Sequence, residues 1–163
     1  MAITVKVNSE CVYRLDLEPA RRVIEELLVK GASAACEEQL CFDIDLATDP
    51  TDPRELSEIP ELRLWFIRLD TRYPWLPILL ISQPQEFTRY AAMLVPHQFH
   101  RTEGIQYNPE ALEIFLMGKI FAIADWLEQH GLSNKSKLKS MALLLGYELD
   151  DAFFDLLTNK SSL

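Results

Sequence analysis

The sequence predicts a single-domain α+β fold: a small mixed or antiparallel sheet packs on a long central helix, and a C-terminal helical hairpin follows. Residues 108–131 carry the start and stop signals of one long helix, and residues 3–7 and 38–46 alternate apolar and polar side chains as strands do. Two shorter helical patterns separated by Gly146 end the chain. A chain of 163 residues is long enough for one domain with its own core.

Residues 1–46 are predicted to form a strand, a helix and a second strand. The alternation over residues 3–7 gives the first strand, and a helix is expected from Pro19 to just before Gly31. From 38 to 46 the apolar side chains share one face and the polar ones share the other. Such a half-exposed strand favours an antiparallel or edge setting over a buried parallel one.

Residues 47–60 are predicted to be an ordered, acidic surface loop. Pro50 and Pro53 each follow an aspartate, which favours turns and disfavours helix immediately before them. The stretch 61–73 fits either a helical stripe or a strand, and its length together with Pro60 at its start favours a helix.

The predicted core, within residues 61–131, has two further segments before the long helix. The compact apolar run 76–81 is expected to be a buried strand, whereas 84–95 fits either a helix or a loop and strand. Trp65 and Trp75 are expected in the core rather than at an interface.

Three residues predict the bounds of the long helix: Asn108 as its cap, Pro109 at its first position and Gly131 at its end. Its apolar residues lie almost all round, and three fall on the side where acids predict contact with water: Ile114, Met117 and Phe121. A helix of this kind is normally buried by several neighbours, so this one is predicted to be central.

Two neighbouring residues interrupt the pattern of that helix. Gly118 costs about 1 kcal/mol relative to alanine in the middle of a helix. We expect it to let another backbone come close; the alternative is a glycine without a packing role. Lys119 lies in the most apolar sector, where its stem could cover apolar surface while its ammonium reaches water. The alternative is a partly buried lysine paired with a carboxylate of another segment, for which Glu103 is a candidate.

Residues 132–158 are predicted to form the helical hairpin, and 159–163 a disordered tail. The first helix runs from Lys135 to Leu145 and stops at Gly146, and Asp150 caps the second. A DNA-binding helix-turn-helix is disfavoured because the second half is acidic. The acids there are Glu148, Asp150, Asp151 and Asp155.

The net charge of −9 is concentrated in one part of the chain. Residues 36–61 contain nine acids and one base, Arg54, which leaves eight net negative charges there. Nucleic acids and anionic membranes are therefore poor partners, and a basic protein surface is a plausible one; a merely solvated face is the alternative. No apolar run reaches the roughly 18 residues of a membrane span, and the N-terminus lacks a leader pattern, so we expect a cytoplasmic protein.

The sequence indicates no cofactor. Cys11, Cys36 and Cys41 are an odd set without a fourth cysteine, so reduced thiols are expected rather than an iron–sulphur cluster. Phosphate-binding glycine loops and a nucleophile elbow are absent from the sequence.

A metal-dependent enzyme using His97, His100 and Glu103 is the alternative function. On a helix these residues would share one face and could bind Zn²⁺ with a position left for water. The flanking Arg101 would oppose a cation, and the following Thr-Glu-Gly favours a loop. Asp43 and Asp45 could also face a divalent cation, although no third ligand is evident.

Three segments carry a family resemblance: DPRELSEIPELRLWFIRLDTRYPWLP, RYAAMLVPHQFHRTEGIQYNPEALEIF and LGYELDDAFF. They resemble the chlororespiratory reduction six family, soluble proteins of cyanobacteria and chloroplasts. The resemblance implies a non-enzymatic assembly factor for the photosynthetic NAD(P)H dehydrogenase-like complex, active in maturing its hydrophilic arm by incorporating the iron–sulphur subunit I. It implies no catalytic residues. The missing transit peptide favours a cyanobacterial, cytoplasmic protein, with plant relatives in the chloroplast stroma.

We therefore expect the protein to bind a protein client through a polar surface. The hypothesis places that surface on the segment 52–61 together with the loop from Arg101 to Glu103. Its residues are Asp52, Arg54, Glu55, Glu58, Glu61, Arg101 and Glu103.

Overall fold

The computed structural model describes residues 2–31, 40–47, 51, 59–80, 83–95, 97–132 and 135–160. Within these residues, eight helices and two pairs of strands confirm the α+β class. Cys36 and most of the predicted acidic loop lie outside the described residues.

The N-terminal part combines two strands with two helices. Its elements are β1 (Ile3–Asn8), α1 (Ser9–Arg14), α2 (Glu18–Val29) and β2 (Leu40–Asp45). Val5 lies opposite Phe42, and the two strands are parallel rather than antiparallel. The helices between the strands return the chain to the start of the sheet, which is what a parallel pair requires. Asp43 and Asp45 are exposed, so the predicted half-exposed character of β2 is confirmed.

Three helices follow: α3 (Pro60–Arg72), α4 (Leu76–Leu80) and α5 (Pro84–Leu94). The helical interpretation of 61–73 is confirmed, and the open choice over 84–95 is decided for helix. The predicted strand over 76–81 was wrong. All five residues of α4 are buried, so its hydrophobicity carries no period, and Pro77 fits a first helical turn because its missing N–H would have no partner there.

A short antiparallel hairpin leads into the long helix. It consists of β3 (His97–His100) and β4 (Gly104–Tyr107), joined by a turn over residues 101–103. The loop predicted from Thr-Glu-Gly agrees with this turn. The helix that the metal hypothesis assumed through His97 and Glu103 is absent.

The C-terminal part contains α6 (Pro109–Gln129), α7 (Lys135–Leu144) and α8 (Asp151–Lys160). The side chain of Asn108 accepts hydrogen bonds from two backbone N–H groups of α6, and that of Asp150 accepts one from Phe153. Both predicted caps are confirmed. Ion pairs of 2.6 Å between Lys139 and Asp151 and 3.2 Å between Lys135 and Asp155 join α7 to α8.

The long helix α6 is present, but a central position for it is not confirmed. Its buried residues lie on one face: Leu112, Leu116, Lys119, Ile120, Ile123 and Leu127. On the other side Ile114 is 68% exposed and Phe121 is 48% exposed. A β-carbon built on Gly118 would meet no atom of the described residues within 4 Å, so no backbone among them explains this glycine by a close approach.

The core confirms the predicted burial of both tryptophans. Trp65 and Trp75 are 0% and 1% exposed. Trp65 packs edge-on against Phe66 at a centroid distance of 5.3 Å, and its indole N–H donates a 2.8 Å hydrogen bond to the carbonyl of Asp16. This bond satisfies the one polar atom of a buried indole and links α3 to the segment before α2.

The two faces of α6 predict opposite responses to truncation. Leu116→Ala removes a fully buried side chain and should lower the free energy of unfolding by about 2–5 kcal/mol. Ile114→Ala, two residues earlier on the exposed face, should change it by no more than about 0.5 kcal/mol. Urea unfolding measures both values, and equal losses would mean that α6 is enclosed on both sides.

Candidate functional site

The most unusual polar feature is a buried ion pair between Asp70 of α3 and Lys119 of α6. Each residue is only 8% exposed. The hydroxyl of Tyr90, on α5, donates a hydrogen bond to Oδ1 of Asp70, while Lys119 contacts Oδ2. Three helices separated in sequence therefore meet at one carboxylate.

The buried position governs the proton affinity of Asp70. Desolvation raises the pKa of its carboxyl from 3.8 to about 6, and the positive charge of Lys119 opposes that rise without cancelling it. The carboxyl of Asp70 is thus ionised at neutral pH, but its ionisation is less favourable in the folded protein than in water.

The first interpretation of Lys119, a stem on apolar surface with its ammonium in water, was wrong, because the side chain is buried. The alternative of a lysine paired with a carboxylate of another segment agrees with the structure, but the partner is Asp70 and not Glu103. Glu103 lies exposed in the hairpin turn and accepts a hydrogen bond from Gln106. Asp70 carried a usable signal: it follows Phe66 by four residues and so falls on the buried stripe of α3. A carboxylate in an apolar stripe requires a partner, which a lysine in another apolar stripe can supply.

A second buried polar group lies near the end of α3. The hydroxyl of Tyr73 is buried and has no hydrogen-bond partner among the described residues. Burial raises the pKa of this phenol, so it stays neutral. The ring packs edge-on against Trp75 at 5.8 Å, which accounts for its position by packing.

An apolar cleft opens beside the buried pair. It measures about 320 Å³ with its open mouth and is lined by Phe42, Ile44, Phe66, Leu80, Glu86, Arg89, Tyr90 and Met93. The ring of Tyr90 forms part of its wall, and the hydroxyl of the same residue contacts Asp70. Glu86 and Arg89 are the charged residues of its lining.

The residues predicted to bind a client are only partly described. Asp52, Arg54, Glu55 and Glu58 lie outside the described residues. Glu61 is half-buried in the first turn of α3, and Arg101 and Glu103 are exposed in the hairpin turn. Whether these residues form one surface stays a prediction.

The residues of the metal hypothesis do not form a cluster in the part of the chain with described side chains. His100 shares a 3.0 Å hydrogen bond with Thr102, and the side chain of His97 is not described. Among the described residues, no group of three histidine, cysteine, aspartate or glutamate side chains could hold a metal ion. Asp43 and Asp45 therefore have no third ligand in this part of the chain. Cys11 and Cys41 are free thiols.

Comparison with known proteins identifies one family. The model of the family described as Chlororespiratory reduction 6 matches residues 7–156 of the 163-residue chain. No solved structure matches the chain. None of the described helices is long and apolar enough to cross a membrane.

Breaking the buried pair should destabilise the protein through the charge left behind. At pH 8, Lys119→Met should cost about 3–5 kcal/mol because it leaves the Asp70 carboxylate buried without a counter-charge. Adding Asp70→Asn should recover most of that loss. Urea unfolding of both single variants and the double variant gives the coupling energy, and a coupling near zero at pH 8 would show that the two groups act independently.

The stability should also depend on pH in a defined direction. The pKa of Asp70 is about 6 in the folded protein and 3.8 as the reference value, so between these values the folded state binds more protons. The free energy of unfolding should therefore fall as pH rises from 4 to 7, relative to Asp70→Asn, by an amount on the order of 3 kcal/mol. Unfolding titrations at several pH values test this, and a relative rise would mean that attraction to Lys119 outweighs burial.

Proposed function

Because the chain belongs to the Chlororespiratory reduction 6 family, a family of assembly factors rather than enzymes, we propose that it assembles the hydrophilic arm of the photosynthetic NAD(P)H dehydrogenase-like complex. In this role it binds a client subunit, the iron–sulphur subunit I, before that subunit joins the arm. The observation that carries the proposal is the family match over residues 7–156.

The placement of charge supports a binding role. Among the described residues, the buried charged side chains are Asp70 and Lys119, and they bind each other. This pair joins α3 to α6, and Tyr90 of α5 binds the same carboxylate. These contacts explain both residues without a catalytic role. An ion pair that is satisfied internally is typical of a structural element.

The net charge supports a basic client surface. At −9 the chain attracts basic surfaces over distances set by the ionic strength, which speeds encounter and selects against acidic partners. In the proposal, the segment 52–61 and the turn with Arg101 and Glu103 make the polar contacts. The proposed compartment is the cyanobacterial cytoplasm, or the chloroplast stroma for plant relatives.

Genetic and biochemical tests address the function directly. Deleting the gene should reduce the amount of fully assembled complex on native gels and leave its hydrophilic arm incomplete. A tagged copy should restore assembly and co-purify with subunits of that arm. Normal amounts of complete complex in the deletion strain would refute the proposal.

A charge reversal in the proposed surface should separate binding from stability. Arg54→Glu with Glu55→Lys keeps the net charge and should reduce the recovered arm subunits severalfold, while the melting temperature stays nearly constant. The matched control is Arg14→Glu with Glu10→Lys, which reverses an exposed ion pair of 3.0 Å on α1. Equal recovery by the two double variants would exclude this surface.

A further inference from the structure

The outer face of α6 carries an apolar stripe that the described fold leaves largely exposed. Ile114 and Phe121 are 68% and 48% exposed, and Ala122 is exposed as well. With Gly118 they recur at spacings of three and four residues, so they form one continuous face of the helix. Isolated exposed apolar residues are common, but a continuous row on one helix face indicates a contact surface.

Gly118 gives this stripe a low point in its middle. A β-carbon at this position would meet, within 4 Å, no atom of the residues that the structure describes, so their packing does not require glycine there. The residue nevertheless lowers helix stability by about 1 kcal/mol relative to alanine. A small residue at the centre of an apolar helix face allows the backbone of another helix to come close.

The stripe continues onto α8 and ends in a depression. Phe121 contacts Phe153 at a centroid distance of 6.0 Å. Phe153 in turn lines an open depression of about 700 Å³, together with Glu148, Leu149 and Asp150. The stripe therefore extends from α6 onto Phe153 of α8, and the carboxylates of Glu148 and Asp150 lie beside it.

The charges around the stripe define its occupant. Glu110 and Glu113 lie exposed at one end of the stripe and Asp125 at the other, with Glu148 and Asp150 at the depression. The distance along the helix from Glu110 to Asp125 is about 22 Å, the length of a helix of about 15 residues. An apolar strip bordered by carboxylates complements a helix with an apolar face bordered by lysine or arginine.

We propose that the outer face of α6, with Gly118 at its centre, is a docking groove for a basic amphipathic helix of a partner protein. The inference rests on the proposed function, since it supplies the client with a second and apolar contact. A second copy of this chain fits less well. Whether two such faces met parallel or antiparallel, carboxylates at the stripe ends would face carboxylates.

The test uses a fluorescent synthetic helix of leucine and lysine as the probe. Its binding is measured by anisotropy against the full chain at moderate salt. Gly118→Arg places a large cation in the groove, at a position where a β-carbon would meet no atom of the described residues within 4 Å, and should weaken binding at least tenfold. Val29→Arg makes the same charge change at a residue that is 88% exposed on α2, and should weaken binding less than twofold.

Two further probes sharpen the result. A peptide with glutamate in place of lysine should bind at least tenfold more weakly than the basic one. Gly118→Ala should keep binding within twofold while raising the melting temperature, because alanine favours the helix and remains small. Equal losses for Gly118→Arg and Val29→Arg would overturn the proposal, since binding would then follow net charge alone. A concentration-dependent dimer that Gly118→Arg abolishes would also overturn it, by making the occupant a second copy.

Assembly in cells distinguishes this inference from the proposed function. If deletion of the gene blocks assembly but Gly118→Arg supports it fully, the groove is not the client contact and the proposed function stands. If deletion leaves assembly intact, the proposed function fails, and the peptide titrations still decide whether the groove binds a basic helix.

Discussion

The arrangement of the helices depends on the buried contact between Asp70 and Lys119. The raised pKa of Asp70 shows that removing its carboxylate from water costs more than its attraction to Lys119 returns. The ionised pair therefore lowers the net stability relative to a neutral group at the position of Asp70. Its effect is on arrangement, because any displacement that separates the two side chains would leave a charge buried alone, at a cost of several kcal/mol.

This constraint reaches beyond the two residues. Tyr90 binds the same carboxylate from α5, and its ring also lines the apolar cleft beside β2. Phe66 contacts both Phe42 and Tyr90, at 5.4 and 6.3 Å. A shift of α3 would therefore alter the ion pair, the cleft and the contact with the parallel strands together, because interiors packed at high density deform as units.

Local sequence signals predicted the parts of the fold that local physics decides. Asn108 and Asp150 as caps, and Gly131 and Gly146 beyond helix ends, were readable because each acts on neighbours within one turn. The partner of Lys119 was harder to predict. Asp70 is 49 positions away, and its place on the buried stripe of α3 indicates only that it needs a partner, not which one. Glu103 was a candidate because it lies just upstream of the helix. The helix α4 escaped prediction because burial on all sides removes the period that distinguishes helix from strand.

The apolar residues all round α6 predicted a helix surrounded by neighbours. In the structure only one face of α6 is buried, and Ile114 and Phe121 on the other side are exposed. Apolar residues on the outer side need burial, but a partner molecule can supply it as well as the chain itself. Gly118 and Lys119 are consecutive residues, about 100° apart around the helix, and one is exposed while the other is buried. The burial of Lys119 and of the apolar residues on the same side of α6 therefore directs the stripe around Gly118 away from the core. The buried and exposed faces of α6 therefore keep fixed directions relative to each other. A stripe held on a rigid helix loses less conformational entropy on binding than a mobile one would.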